Sequence, residues 1–216
     1  MMAALAPPLV AAWDGAWTAL ARAAPAESLR ELLDRYAEPH RAYHTLQHLG
    51  ECFATLEDVA SLAERLDEVR LALWYHDAVY DTRAHDNEER SGALARAAVL
   101  SAGGGEEAAE RVHALVLATK HTTAPAPRGD ARLVVDVDLA ILGAPPARFA
   151  EYEAQIRREY AWVPEAEFRA RRQRVLRSFL ERPSIYATTV LRRRLEPRAR
   201  ENLARSLDAL AATSRA

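Results

Sequence analysis

Leu133-Val134-Val135-Asp136-Val137-Asp138-Leu139-Ala140-Ile141-Leu142-Gly143 is the stretch that decides the fold class. Its Leu-Val-Val opening favours a strand, and a short apolar run fits strand or helix by periodicity alone. The surroundings settle the reading. The flanking segments are helical almost throughout, so the stretch is expected to be a helix ended by Gly143. Before it, a helix is expected over Glu106–Lys120, then a Pro- and Thr-rich loop from His121 to Gly129. After it, Pro145 and Pro146 suit a helix start running to about Tyr160. Pro164 opens another helix through Leu180. Pro183 and Pro197 mark further boundaries, and a last helix covers about Arg198 to Ala211.

Towards the N-terminus the pattern continues. Leu29, Leu32, Leu33 and Tyr36 recur at three-to-four spacing, one buried helical face. A helix from near His44 to Leu62 turns Leu49, Cys52, Phe53, Leu56 and Val59 inward, and the next runs from about Ala63 to Tyr80. Asp86 caps a helix to about Leu100, with Glu88 and Glu89 favouring its dipole. Ser101 to Gly105 ends it. The expected fold is an all-α bundle forming a single domain over residues 1–216, with no internal repeat.

Composition supports this and excludes several classes. The chain has 216 residues, half of them hydrophobic, enough for a sizeable core. With 29 basic against 31 acidic residues, no basic excess points to nucleic acid, which is not expected as a partner. No apolar run approaches the ~20 residues of a membrane span, so no membrane partner is expected. Met1 to Val10 lacks the positive segment of a signal peptide. The single cysteine, Cys52, rules out an internal disulfide and fits a reducing compartment, so a cytoplasmic location is expected. Every basic residue except Lys120 is arginine. A lone lysine in so arginine-rich a chain suggests a position where arginine does not serve.

Three segments carry candidate chemistry. His76-Asp77 directly follows the apolar run Leu71-Ala72-Leu73-Trp74-Tyr75. An ionisable pair there is costly unless compensated, and a divalent cation compensates it well. The ordinary alternative is a surface His-Asp pair. Upstream, His44 and His48 lie four apart and share a helical face. That spacing chelates one metal, or sets one ligand beside one proton donor. Downstream, Asp136 and Asp138 sit two apart in an apolar segment. Capping or ion pairing would explain one of them more readily than both.

Together these pieces resemble the HD superfamily, whose signature is a histidine, a His-Asp dyad and a distant aspartate. His48, His76, Asp77 and Asp138 match that order. The segment Tyr43-His44 to His48 also looks like the Tyr-His-Asn-x-x-x-His segment of cyclic-nucleotide phosphodiesterases, with Thr45 in place of the asparagine. The resemblance narrows to a bacterial family described as predicted metal-dependent HD phosphohydrolases. It is carried by Trp74-Tyr75-His76-Asp77-Ala78-Val79-Tyr80-Asp81, Asp86-Asn87-Glu88-Glu89-Arg90-Ser91, Thr119-Lys120-His121 and Asp136 to Gly143. Tyr152 to Tyr160 and Arg200-Glu201-Asn202-Leu203 extend it. It implies a single HD-type helical domain, its metal-site core at about 40–145 and further helices at about 146–216. It also implies metal-dependent hydrolysis of a phosphoester or phosphoanhydride in a nucleotide or small metabolite.

By that resemblance the metal ligands are His48, His76, Asp77 and Asp138, with Asp138 matching the last ligand better than Asp136. The ion is divalent (Mn, Fe, Co, Ni, Zn or Mg), with room for a second. His44 becomes the proton donor to the leaving oxygen, and Asp77 bridges metal and water or accepts the water proton. Lys120 would neutralise phosphate charge as a compact cation. Glu88 would orient a ligand histidine or the water, although an acid in a first helical turn has a plain dipole role. Asn87 is a further substrate contact. His121 is either a substrate contact or a ligand for a second metal. Arg157 and Tyr160, at i and i+3, would contact a phosphate and a base, or simply pack together. Cys52 is expected in the core, and His40, His85 and His113 as structural or exposed. Arg169, Arg171, Arg172, Arg174 and Arg177 read as a solvated face. Two other functions stay open: a di-iron oxygenase, which needs about two more histidines, and a non-catalytic nucleotide-binding sensor. Apolar helical faces are compatible with a homodimer.

Overall fold

Helix α4, Leu66–Tyr75, organises the first half of the chain. Val69 and every residue from Leu71 to Tyr75 are buried. A helix apolar on all sides belongs in the middle of a bundle. Accordingly it packs against α1 (Pro7–Ala19), α3 (Leu46–Glu57), α5 (Asn87–Ser101), α6 (Glu106–Ala118) and α7 (Asp130–Asp138). Helix α2 is Ala26–Tyr36. The computed structural model describes residues 7–20, 24–121 and 127–212. It is 73% helical, with ten α-helices and no strand among the described residues, as expected for an all-α fold. The remaining helices are α8 (Pro146–Glu159), α9 (Glu165–Leu180) and α10 (Thr189–Ala212). The chain divides into two compact units, Met1–Asp138 and Leu139–Ala216. No helix among the described residues is long and apolar enough to cross a membrane. Residues 122–126 of the expected loop, and residues 1–6 of the segment tested as a signal peptide, lie outside the described residues.

In the first unit, aromatic side chains fill the core. Trp13 meets Trp17 and Trp74 edge-on, at ring-centroid distances of 5.4 and 5.3 Å, and Phe53 meets Trp74 at 5.6 Å. Such pairs add to the area they bury. The β-prone stretch is helical as expected, as α7 followed by a 3₁₀ turn at Leu139–Gly143. The start of α7 is tied to the start of α4: Asp130 accepts from the backbone N–H groups of Glu64 and Arg65, at 2.8 Å each. With 10 and 9 residues, the two helices rise about 15 and 13.5 Å. Tied at one end and nearly equal in length, they deliver His76-Asp77 and Asp138 to the same level.

Several boundaries differ from the sequence expectation. Helix α3 starts at Leu46 rather than His44, because Thr45 is extended and caps it. It ends at Glu57, and a short 3₁₀ turn, Ala60–Leu62, follows. Helix α4 stops at Tyr75 rather than Tyr80. The backbone beyond is held by side chains instead: Arg41 takes the Asp77 and Ala78 carbonyls, and Ser91 takes the Val79 N–H. Helix α5 closes as expected, with Gly103 at φ 78° and Gly104 N–H returning to the Val99 carbonyl at 2.8 Å.

In the second unit, α10 runs through Pro197, which the sequence reading takes as a boundary. Proline removes one backbone donor. Leu191, Leu195, Ala199 and Leu203 are all buried at four-residue spacing across it, and that burial outweighs the lost bond. Asn202 donates to the carbonyls of Leu142 and Ala144, at 2.9 Å each, and Tyr186 to that of Leu139 at 3.1 Å.

Candidate metal centre

The centre lies wholly within the first unit and is built from helix ends. The Thr45 hydroxyl accepts from the Gln47 N–H at 3.3 Å. Capped there, α3 carries His48 in its first turn, buried. His76 and Asp77 follow the last residue of α4, and Asp138 is the last residue of α7. The C-terminal ends of α4 and α7 thus sit at the centre, and helix C-termini favour a cation. His76 is also buried, and its Nδ1 lies 2.7 Å from the Leu73 carbonyl. A proton on Nδ1 donated there leaves Nε2 with a lone pair facing the centre.

The donors converge. His48 Nε2 lies 3.2 Å from His76 Nε2, 3.5 Å from Asp77 Oδ2 and 3.2 Å from Asp138 Oδ1. His76 Nε2 lies 2.9 Å from Asp77 Oδ2 and 3.5 Å from Asp138 Oδ1. Donors about 2.1 Å from one ion stand about 3.0 Å apart at a right angle and about 3.4 Å apart at the tetrahedral angle. The observed spacings are the edges of such a coordination figure. His48, Cys52, His76 and Asp138 also form a group whose ligand atoms all lie within 4.8 Å of one another. This buried cluster can hold a metal ion.

Its electrostatics agree. Burial alone would raise Asp77, but His76, His44 and His48 hold it well below the usual carboxylate range. Burial would likewise raise Asp138, yet hydrogen bonds with His121, His48 and His76 depress it strongly. Burial would lower His76, and the charges of Asp77 and Asp138 lift it well above an ordinary imidazole. Two buried carboxylates thus demand two positive charges. A divalent cation would supply them.

Asp138, not Asp136, supplies the downstream carboxylate. Asp136 is two residues earlier, about 200° round the helix, and is fully buried. His44 also faces the cluster, and its charge is among those that lower Asp77. Its ring stacks on Tyr80 at 4.0 Å, with its centroid 6.0 Å from that of His48. His121 reaches the centre from the end of α6, with Nε2 2.9 Å from Asp138 Oδ2. It does so with φ 54°, a left-handed backbone that costs a non-glycine residue roughly 1–2 kcal/mol.

The other candidates make the following contacts. The Lys120 ammonium pairs with Glu89 and donates to the His85 carbonyl at 3.3 Å. Asn87 clamps a turn, accepting from the Asp81 N–H at 3.1 Å and donating to the Asp81 carbonyl at 2.9 Å. Glu88 is half-buried in the first turn of α5. Arg157 and Tyr160 belong to the second unit. There the Arg157 guanidinium donates to the Tyr160 carbonyl at 2.6 Å, the Val163 carbonyl at 3.2 Å and Glu165 at 2.8 Å. His113 packs on Gly92, whose Cβ, if present, would lie 2.6 Å from the imidazole.

Two residues beside the centre were not among its sequence candidates: Cys52 was read only as a core residue, which its burial bears out, and Arg41 was not read at all. Cys52 Sγ lies 3.7 Å from both ring nitrogens of His48. Its signal was the spacing of four from His48, the spacing that had marked His44. Arg41 has a fully buried side chain that donates to the carbonyls of Asp77 at 2.7 Å, His44 at 3.2 Å and Ala78 at 3.1 Å. Nothing in its local sequence marks it. Comparison with known proteins adds no relative: no family model, curated protein or solved structure matches the chain.

Proposed function

We propose that the chain is a metal-dependent phosphohydrolase of the HD type, acting on a phosphoester or phosphoanhydride of a nucleotide or other small metabolite. One observation supports the reading above all. His48 Nε2 and His76 Nε2, from separate segments, each lie within 3.5 Å of the other and of a carboxylate oxygen of both Asp77 and Asp138, with a third imidazole, His44, alongside. A divalent ion held there supplies an acidified water and polarises a phosphoryl oxygen. His48 and His76 would hold it, with the Leu73 carbonyl, 2.7 Å from His76 Nδ1, fixing the His76 ring. Asp77, facing both imidazoles, is placed to receive the proton of the attacking water. His44, as imidazolium, protonates the leaving oxygen, with Tyr80 stacked on its ring to hold it.

The test is to strip metal from the purified protein, restore Mn²⁺, Co²⁺ or Ni²⁺, and assay a broad panel of phosphorylated compounds. Turnover that depends on the restored metal is expected. Metal binding with no turnover of any compound would remove the hydrolase reading, and a nucleotide bound tightly without turnover would favour a sensor. A second reading rests on Asp138. Its Oδ1 faces His48 and His76 while its Oδ2 faces His121, so His121 and Asp138 would be residues to hold a second ion, which favours a di-iron oxygenase. Elemental analysis separates the two, since one metal per chain argues against the oxygenase.

A further inference from the structure

We infer that Cys52 makes this centre discriminate between metals. A borderline-soft ion such as zinc is captured by a closed His48, Cys52, His76, Asp138 set, whereas a hard ion such as manganese is held by the two imidazoles and the two carboxylates. The inference rests on the metal-site reading and not on the reaction proposed for it. Two observations carry it. Cys52 is buried one helical turn beyond His48, and its Sγ stands 3.7 Å from His48 Nε2. Cys52 also belongs to the group with His48, His76 and Asp138 whose ligand atoms all lie within 4.8 Å of one another. Its Sγ is equally far from both His48 ring nitrogens, off the Nε2 lone-pair direction, so the thiol would turn about its χ1 bond to reach an ion held on Nε2.

Two donor sets therefore share His48, His76 and Asp138, one completed by Asp77 and the other by Cys52, and the chemistry of the ion selects between them. Thiolate prefers zinc over manganese or magnesium, which prefer carboxylate and water. As the S–Zn bond forms, the thiol proton passes to solvent. Four protein ligands fill a tetrahedral ion, leaving no position for water, the mark of a structural rather than a catalytic zinc site. The same centre with manganese keeps open positions. Zinc is accordingly expected to bind tightly and to leave the centre inactive.

Cobalt substitution reads this directly. Co²⁺ added to the metal-free protein should give a sulfur-to-cobalt charge-transfer band in the near ultraviolet, beside the visible bands of bound Co²⁺. In Cys52→Ser the charge-transfer band should vanish while the visible bands persist. Chelator competition should show zinc affinity falling by roughly tenfold or more, with manganese affinity changed about twofold at most. Cys52→Ala, checked for helicity by circular dichroism, guards against a folding defect in the serine variant. Visible bands without charge transfer in the wild type would overturn the role of Cys52 and leave the metal centre standing. Absence of any Co²⁺ binding would overturn both. Equal losses of zinc and manganese affinity in Cys52→Ser would show packing rather than ligation, and would also defeat the inference.

Discussion

Arg41 holds together the two backbone segments that present the ligands. Its guanidinium bridges the carbonyls of His44 and Asp77, and lies over the Tyr36 and Tyr80 rings, 5.4 and 5.5 Å from their centroids. Removing it strands buried carbonyls without a donor, at a cost of ~1–3 kcal/mol each. Arg41→Ala is therefore expected to lower stability by about 3 kcal/mol, read by chemical denaturation. Arg41→Lys should recover little, because an ammonium cannot span three carbonyls as the planar fork does. An unchanged denaturation midpoint in Arg41→Ala would show that the bridge carries no load. The proposed ligands and the proposed proton donor separate just as cleanly. Asp77→Ala or His76→Ala should empty the site by elemental analysis. His44→Ala should keep its metal and lose roughly 10²–10⁴-fold in turnover. If His44→Ala emptied the site instead, His44 would be a ligand.

The helices show how far the sequence reaches. The ambiguous Leu133–Gly143 stretch was legible as a helix because everything round it was helical. His76-Asp77 was legible because an ionisable pair after an apolar run needs compensation, whereas the choice of His48 over His44 and of Asp138 over Asp136 came from the family resemblance. Other features depended on contacts distant in sequence. Helix α1, which buries Trp13 and Trp17, had been read only for its lack of a signal-peptide charge. The end of α4 is set by Arg41 and Ser91, not by any breaker in its own residues. Pro197 reads as a boundary, yet the apolar stripe on either side carries α10 through it. Lys120 was conspicuous by rarity, and the structure pairs it with Glu89. Close approach between elements is equally hidden. A Cβ on Gly143 would meet Leu195 Cβ at 2.7 Å, and its backbone oxygen and Cα at 2.9 and 3.1 Å. Backbone atoms cannot swing away, so Gly143→Ala must push the 3₁₀ turn off α10. A loss of roughly 1–3 kcal/mol is expected, the usual cost of overpacking. Thermal melting checks it, and a melting temperature equal to wild type would mean that the turn yields freely.

At the scale of the whole molecule, the centre links folding to both protons and metal. Without metal, the raised His76 stabilises the fold fully below the unfolded imidazole value of ~6.5, and that stabilisation is lost as pH rises through its folded value. The depressed Asp77 and Asp138 act in the opposite sense. Their contribution is present above the unfolded carboxylate value of ~3.9 and is lost as pH falls towards their folded values. Metal-free protein should thus lose this stabilisation on both sides of a window from about pH 4 to about pH 6.5. A bound cation changes the alkaline side, because it needs the imidazoles neutral and competes with their protons. The gap in melting temperature between metal-loaded and chelator-treated protein should then widen steadily from about pH 5.5 to about pH 8. Paired melts across that range measure it. A gap that stays constant would mean that no proton leaves the centre when the metal enters, and a His76 raised above that range could not then be a ligand.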